Sequence, residues 1–165
     1  MKKYLLIVLL VGVCFGQAPD TLWTKTFGGS QQDRGQSVYK TNDNGFIITG
    51  YNRVNGVRNV QIIKTDFSGD TIWTKSYGGD LWDGGFDGVQ TLDGGYIITG
   101  YTESFASGTE DVFLIRTNEY GDSLWTRTFS DGGSSSVEET SDGGYIIAGT
   151  NYQNSSVVWL IKVDT

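Results

Sequence analysis

Asp33, Asp83, Asp87 and Trp82 are the side chains of this sequence best placed to do chemistry. They sit in polar connecting stretches, Gln31-Gln-Asp-Arg34 and Asp80-Leu-Trp-Asp83 followed by Asp87, and a third such stretch holds Asp131 with Ser134 to Ser136. Two carboxylates about 5 to 10 Å apart on a concave surface would supply the paired groups of glycoside hydrolysis. An exposed Trp such as Trp82 offers a flat, largely apolar ring on which a sugar face stacks. The plainer reading of the same residues is a solvated acidic loop and an aromatic that covers a sheet edge. Nothing else in the sequence asks for hydrolysis, because the remaining carboxylates are spread evenly along the chain. The four residues stand as ligand-binding candidates, and no residue is assigned as catalytic.

What the chain lacks narrows the chemistry further. It has no His, one Cys (Cys14) and one Met (Met1). Met1-Lys-Lys3, an apolar run from Tyr4 to Phe15, and Gly16-Gln17 together have the form of a secretory signal peptide over residues 1–16. The run is shorter than the roughly 20 residues that a membrane-spanning helix needs. Cleavage after Gly16 places small residues at Cys14 and Gly16, whereas cleavage after Ala18 would leave Pro19 next. A lipidated Cys14 is the competing reading, set against the bulk of Val13 just before it.

The mature chain, residues 17–165, then keeps neither Cys nor His. That excludes a disulfide framework, a Cys nucleophile, a Ser-His-Asp triad and metal ligation by His or Cys. Losing Lys2 and Lys3 leaves ten cations against nineteen carboxylates, a net charge of −9. No basic cluster remains to bind nucleic acid or an anionic membrane surface. There is no cofactor motif, so no cofactor is expected. The protein is expected to be secreted, whether extracellular, at the cell surface or periplasmic, with an unidentified protein or glycan as its partner.

The elements that must position these residues recur along the chain. Asp20-Thr-Leu-Trp-Thr-Lys-Thr-Phe-Gly-Gly29 returns as Asp70-Thr-Ile-Trp-Thr-Lys-Ser-Tyr-Gly-Gly79 and as Asp122-Ser-Leu-Trp-Thr-Arg-Thr-Phe129. Asn44-Gly-Phe-Ile-Ile-Thr-Gly50, Gly94-Gly-Tyr-Ile-Ile-Thr-Gly100 and Gly143-Gly-Tyr-Ile-Ile-Ala-Gly149 keep the same beat. A period of about 50 residues that holds several short apolar runs marks a repeat architecture. The repeats are about 20–69, 70–121 and 122–165.

Each repeat reads as four strands. Asp87 to Thr91 leads through Leu92-Asp-Gly-Gly95 into Tyr96 to Thr102, a looser loop precedes Asp111 to Arg116, and Asn118 to Asp122 turns into Ser123 to Phe129. Asp-Gly between β-prone runs predicts a hairpin with a type I′ turn, whose two central residues both need positive φ. One antiparallel four-stranded sheet per repeat is a β-propeller blade. The sequence therefore predicts an all-β fold of three blades' worth of chain: an open arc, a partial propeller, or half of a six-bladed dimer. Ile62-Ile63, Phe113-Leu-Ile115 and Trp159-Leu-Ile161 are apolar at neighbouring positions, so both faces of those strands should be covered.

Recurring residues carry further expectations. Trp23, Trp73 and Trp125 should lie in the core. Gly50, Gly100 and Gly149 should mark the close approach of another backbone, from a neighbouring blade. Lys64, Arg116 and Lys162 should project to solvent or to an Asp. Asp70 and Asp122 should hydrogen-bond the backbone of the turns they close; those stretches differ in order and spacing from the Asp-box of sialidase-type propellers. The turns at Asp43, Asp93 and Asp142 carry one carboxylate each, far short of the roughly six to eight oxygens around calcium. No metal is expected.

The strand count poses a question of closure. The chain opens on an outer strand, Thr21 to Phe27, and its last repeat stops after Trp159-Leu-Ile-Lys-Val-Asp-Thr165, before an outer strand of its own. The first strand is what the last blade lacks. Two chains completing each other's blades would make a six-bladed homodimeric ring, a heterologous contact that closes; a chain cut from a longer repeat protein is the other expectation.

The phrases Trp-Thr-Lys-Thr-Phe-Gly-Gly, Asp-Gly-Gly-Tyr-Ile-Ile-Thr-Gly-Tyr and Leu-Ile-Arg/Lys-Thr resemble a family of secreted bacterial β-propeller repeat proteins, which often precede a type IX secretion sorting domain. The resemblance covers residues 20 to 165, with several phrases recurring in order. It implies an extracellular or cell-surface propeller with no assigned catalytic residues.

Overall fold

The computed structural model describes residues 20–107, 109–153 and 156–164. The signal peptide over 1–16 and Cys14 lie outside the described residues. Eleven strands follow in order: β1 (Arg34–Lys40), β2 (Phe46–Val54), β3 (Val57–Thr65), β4 (Thr71–Tyr77), β5 (Asp83–Gln90), β6 (Tyr96–Thr102), β7 (Asp111–Thr117), β8 (Ser123–Phe129), β9 (Gly132–Glu139), β10 (Tyr145–Asn151) and β11 (Val157–Val163). There is no helix among the described residues. The strands form three antiparallel sheets, β1-β2-β3-β4, β5-β6-β7-β8 and β9-β10-β11, hereafter sheets 1, 2 and 3. The all-β fold and the counts of four, four and three strands match the repeat reading.

The sheets stack in chain order, with β5 lying across β1, β2 and β3, and β9 lying across β5, β6 and β7. Two apolar layers hold the stack. Between sheets 1 and 2, Ile47, Val60 and Ile62 meet Tyr96, Ile98, Phe113 and Ile115, with Trp73 and Tyr77 alongside. Between sheets 2 and 3, Val89, Ile97 and Leu114 meet Val137, Tyr145, Ile147 and Val163, with Trp125 and Phe129 alongside. Sheet 2 is covered on both faces, and all seven residues of β7 are buried. That is why Phe113-Leu-Ile115 is apolar at consecutive positions rather than alternating. Each such apolar side chain contributes about 1.5 to 3 kcal/mol by leaving water.

The Asp-Gly hairpins form, but not with type I′ turns. The Asn44 N–H donates to Thr41 O (3.0 Å), and the Thr41 N–H to Gly45 O (2.9 Å), so each loop runs five residues from Thr41, Thr91 or Thr140. Only Asn44, Gly94 and Gly143 within them take positive φ. The Asp one place earlier instead accepts from the Thr hydroxyl and from the next Gly N–H but one, as Asp93 does from Thr91 Oγ1 (2.6 Å) and Gly95 N (3.1 Å). It also takes the cation that ends the third strand: Lys64 to Asp43, Arg116 to Asp93, Lys162 to Asp142.

The β3–β4 and β7–β8 turns differ from expectation too. Asp66, not Asp70, caps its turn, accepting from the N–H groups of Ser68 (2.8 Å) and Asp70 (2.9 Å), and Asn118 does the same for Tyr120 and Asp122. Asp70 and Asp122 are thereby free to reach across the stack, to Lys25 (2.6 Å) and Lys75 (2.8 Å).

The expected first strand, Thr21 to Phe27, is not a strand here. Residues 20–29 have no strand to pair with among the described residues, and lie against sheet 1 as β4 lies against sheet 2. Trp23 meets Phe46 at 6.4 Å between ring centroids, where Trp73 meets Tyr96 at 5.6 Å. Trp23 is accordingly half-exposed while Trp73 and Trp125 pack on the two cores, so the core reading holds for two of the three Trp residues.

Candidate functional site

The site begins with a glycine. A Cβ on Gly50, Gly100 or Gly149 would overlap the carbonyl of Arg34, Gly84 or Gly133, on the adjacent strand of the same sheet. The close approach predicted at these positions therefore comes from the first strand of the same sheet, not from a neighbouring sheet. It accompanies a β-bulge: the register slips between Gly35 and Ser37, between Gly85 and Asp87, and between Ser134 and Ser136. A bulge leaves one extra residue unpaired and re-aims its side chain. The extra residues are Gln36, Phe86 and Ser135.

These three side chains, one from each sheet, line a single open cavity of about 360 Å³ together with Glu110, Ser134, Thr150 and Tyr152. Next to it, Phe86 lies 5.7 Å from Tyr101, ring to ring. Ser134 is fixed by donating to Gly100 O (2.6 Å), which ties β9 to β6. Burial, and then the charge of Glu103, push the Glu110 carboxyl above its ordinary value. Burial also raises the Tyr101 phenol, against the hydrogen bond and charge of Arg58. The cavity thus combines two aromatic rings, a carboxyl whose pKa burial raises, an amide and hydroxyls. Such a set can stack on a flat apolar face and exchange hydrogen bonds with a polar ligand.

The residues singled out from the sequence are placed otherwise. Asp83 is fully buried and accepts from Gly79 N (2.9 Å), Ser104 Oγ (2.7 Å) and Thr102 Oγ1, so it fastens the β4–β5 connection to the end of β6. Asp33 does likewise in repeat 1, accepting from Gly29 N (2.6 Å) and Arg53 N (3.1 Å). Asp87 spans two sheets, accepting from Ser136 Oγ (3.0 Å) and Val137 N (3.1 Å). No hydrogen bond joins Asp33, Asp83 and Asp87 to one another, and among the described residues no group of three or more Asp or Glu side chains could hold a metal ion. Trp82 packs its ring on the Arg58 guanidinium at 4.7 Å, with Tyr51 on that same cation at 4.7 Å. It remains 42% exposed, so a free edge stays available.

Gln36, Phe86 and Ser135 are missed by sequence reasoning because they break the repeat. A signal exists nonetheless: they hold one repeat position, five places before Thr41, Thr91 and Thr140, and differ in every copy. Glu110 and Tyr152 come from loops that the repeat does not constrain. No protein-family model matches the sequence, and the search of curated proteins found no match to it.

Proposed function

We propose that this chain is an exported module of β-propeller type that binds an extracellular protein or glycan, and that it does so without catalysis. The reading of the three sheets as propeller blades is supported by their stacking in chain order and by one repeated set of contacts between them. The observation that carries the binding reading is the convergence of Gln36, Phe86 and Ser135 on one cavity. Each comes from a bulge in a different sheet, so three independent local distortions aim at the same space. The non-catalytic reading is supported by the state of Asp33, Asp83 and Asp87, whose oxygens are taken up by backbone and hydroxyl donors.

Glycan arrays and a polysaccharide hydrolysis screen on the full chain test this together. Binding lost in Phe86→Ala, with melting temperature unchanged, supports the cavity; binding lost only in Trp82→Ala moves the site to the Trp82 edge and favours a lectin of another geometry. Glu110 favours a second reading, a glycan hydrolase, since a carboxyl with a raised pKa in a cavity suits a general acid. Hydrolysis that vanishes in Glu110→Gln would replace the non-catalytic reading.

A further inference from the structure

The two ends of the stack are the two halves of one contact. Val60 and Ile62 of sheet 1 are buried by sheet 2, and the residues at the same places in sheet 2, Val112 and Leu114, are fully buried, Leu114 within the core shared with sheet 3. In sheet 3 those places are held by Val158 and Leu160, which are 92% and 65% exposed. At the other end, Val137 and Ile147 of sheet 3 are 1% and 0% exposed beneath sheet 2. Their counterparts in sheet 1 are Val38, 66% exposed, and Ile48, which with Trp23, Phe27 and Phe46 lines an apolar groove of about 440 Å³. The giving face of the internal contact is thus open on sheet 3, and the receiving face is open on sheet 1.

The edges agree with the faces. Among the described residues the outer edge of β11 has no partner strand, while β3 pairs with β4 and β7 with β8. Residues 20–29 pair with no strand, yet already sit on sheet 1 as β4 sits on sheet 2, with Lys25 on Asp70 matching Lys75 on Asp122. Gly69 packs on the Trp23 ring just as Gly121 packs on that of Trp73. The segment therefore holds, on sheet 1, the place that β4 holds on sheet 2.

We propose that sheet 3 of one copy packs on sheet 1 of a second copy, and that residues 20–29 of the second copy add as a fourth strand beside β11. The register follows from the internal pairs. Val60 faces Tyr77, Ile62 faces Lys75 and Lys64 faces Trp73; the same offsets set Val158 opposite Phe27, Leu160 opposite Lys25 and Lys162 opposite Trp23. Neither copy has to rearrange, because residues 20–29 stay on their own sheet 1. The contact is heterologous, using different patches on the two copies, and combines strand addition at an open edge with burial of two apolar faces.

Sedimentation velocity on the full chain at tens of micromolar tests this. The expected result is a species of two chains or a larger multiple. Leu160→Glu and Val38→Glu, both on surfaces exposed in a single copy, should each reduce it to the mass of one chain that keeps the wild-type far-UV circular dichroism spectrum, with a melting temperature that no longer depends on concentration. Mixing the two variants should restore a species of two chains, since one copy keeps a sound sheet 3 face and the other a sound sheet 1 face. A wild-type chain that stays monomeric overturns the proposal and leaves the faces to another repeat or another partner. So does an assembly, or an aggregate, that neither variant disperses. A mixture that stays monomeric also overturns it, because it points to a contact of like with like.

Discussion

Arg116 donates from Nε to the Tyr145 hydroxyl across 2.8 Å, joining the third strand of one sheet to the second strand of the next. The same guanidinium bonds Asp93 and the carbonyls of Tyr96 and Thr117, so this buried cation makes four hydrogen bonds in all. Lys64, at the same place in repeat 1, reaches only Asp43 and Thr65 O. An ammonium gathers its three donors on one nitrogen and lacks the rigid spread by which Nε reaches the phenol and the terminal nitrogens reach the carboxylate and carbonyls. Arg116→Lys should therefore cost about 1 to 2 kcal/mol, and Arg116→Ala about 3 kcal/mol because it leaves the Tyr145 hydroxyl and the Tyr96 and Thr117 carbonyls without this donor and empties the space between sheets. Urea unfolding of both variants checks the order.

Gly100 and Gly56 separate two reasons for glycine. A Cβ on Gly100 would strike the Gly84 carbonyl at the bulge, whereas one on Gly56 would meet nothing within 4 Å, its only demand being a φ of +86°. Gly100→Ala should cost about 3 kcal/mol, as overpacking does, and should weaken ligand binding by displacing Phe86. Gly56→Ala should cost about 1 kcal/mol through its left-handed backbone alone and leave binding intact. Melting curves with binding assays on both variants distinguish the two.

Acid should loosen the hairpins in a defined window. At Asp43 burial pulls the pKa upward, but hydrogen bonds from Lys64, Thr41 and Gly45, with the charge of Lys64, overcome it and bring it from 3.8 to about 2. Asp93 is lowered chiefly by Thr91, against partial burial, and Asp142 by Thr140 and then Lys162. A folded-state pKa below the unfolded one means stability that is present above about pH 4 and lost as pH falls toward about 2. The Asp43 side chain is more than half exposed, so screening holds its share to about 1 kcal/mol. Thermal melts from pH 5 to 2 should show the loss, and Asp43→Asn should start lower and fall less across that range.

The sheets were legible in the sequence because turn chemistry and apolar runs recur in register; the expected strand at Thr21 to Phe27 was not borne out, because its phrase repeats without a neighbouring strand to pair with among the described residues. The turn type was not, because Asp-Gly serves a five-residue loop as well as a two-residue one, and the choice depends on Thr41, Thr91 and Thr140 closing each loop onto Gly45, Gly95 and Gly144. Trp23 shares its phrase with Trp73 but not its surroundings, since burial depends on a neighbouring sheet that no single phrase encodes. The candidate site inverts the usual inference. Asp33 and Asp83 recur at one position and invited a functional reading, yet in a repeat recurrence follows shared structural work, here backbone capping. Gln36, Phe86 and Ser135 share a backbone distortion while their side chains differ, and those are the residues that line the cavity.

Asp83 gives the sharpest contrast between a capping carboxylate and a reacting one. It is buried, with Gly79 N and the hydroxyls of Ser104 and Thr102 all donating to it. Asn is nearly isosteric but offers one acceptor oxygen and an NH₂ group that faces these donors, leaving at least one of them unsatisfied at about 1 to 3 kcal/mol. Asp83→Asn should therefore lower the unfolding free energy by about 2 kcal/mol, and Asp33→Asn by less, because Asp33 is more exposed and accepts fewer bonds. Ligand affinity, measured by titration calorimetry below the melting transition, should stay unchanged in both. A variant that keeps its stability but loses binding or hydrolysis would return Asp83 to the functional site.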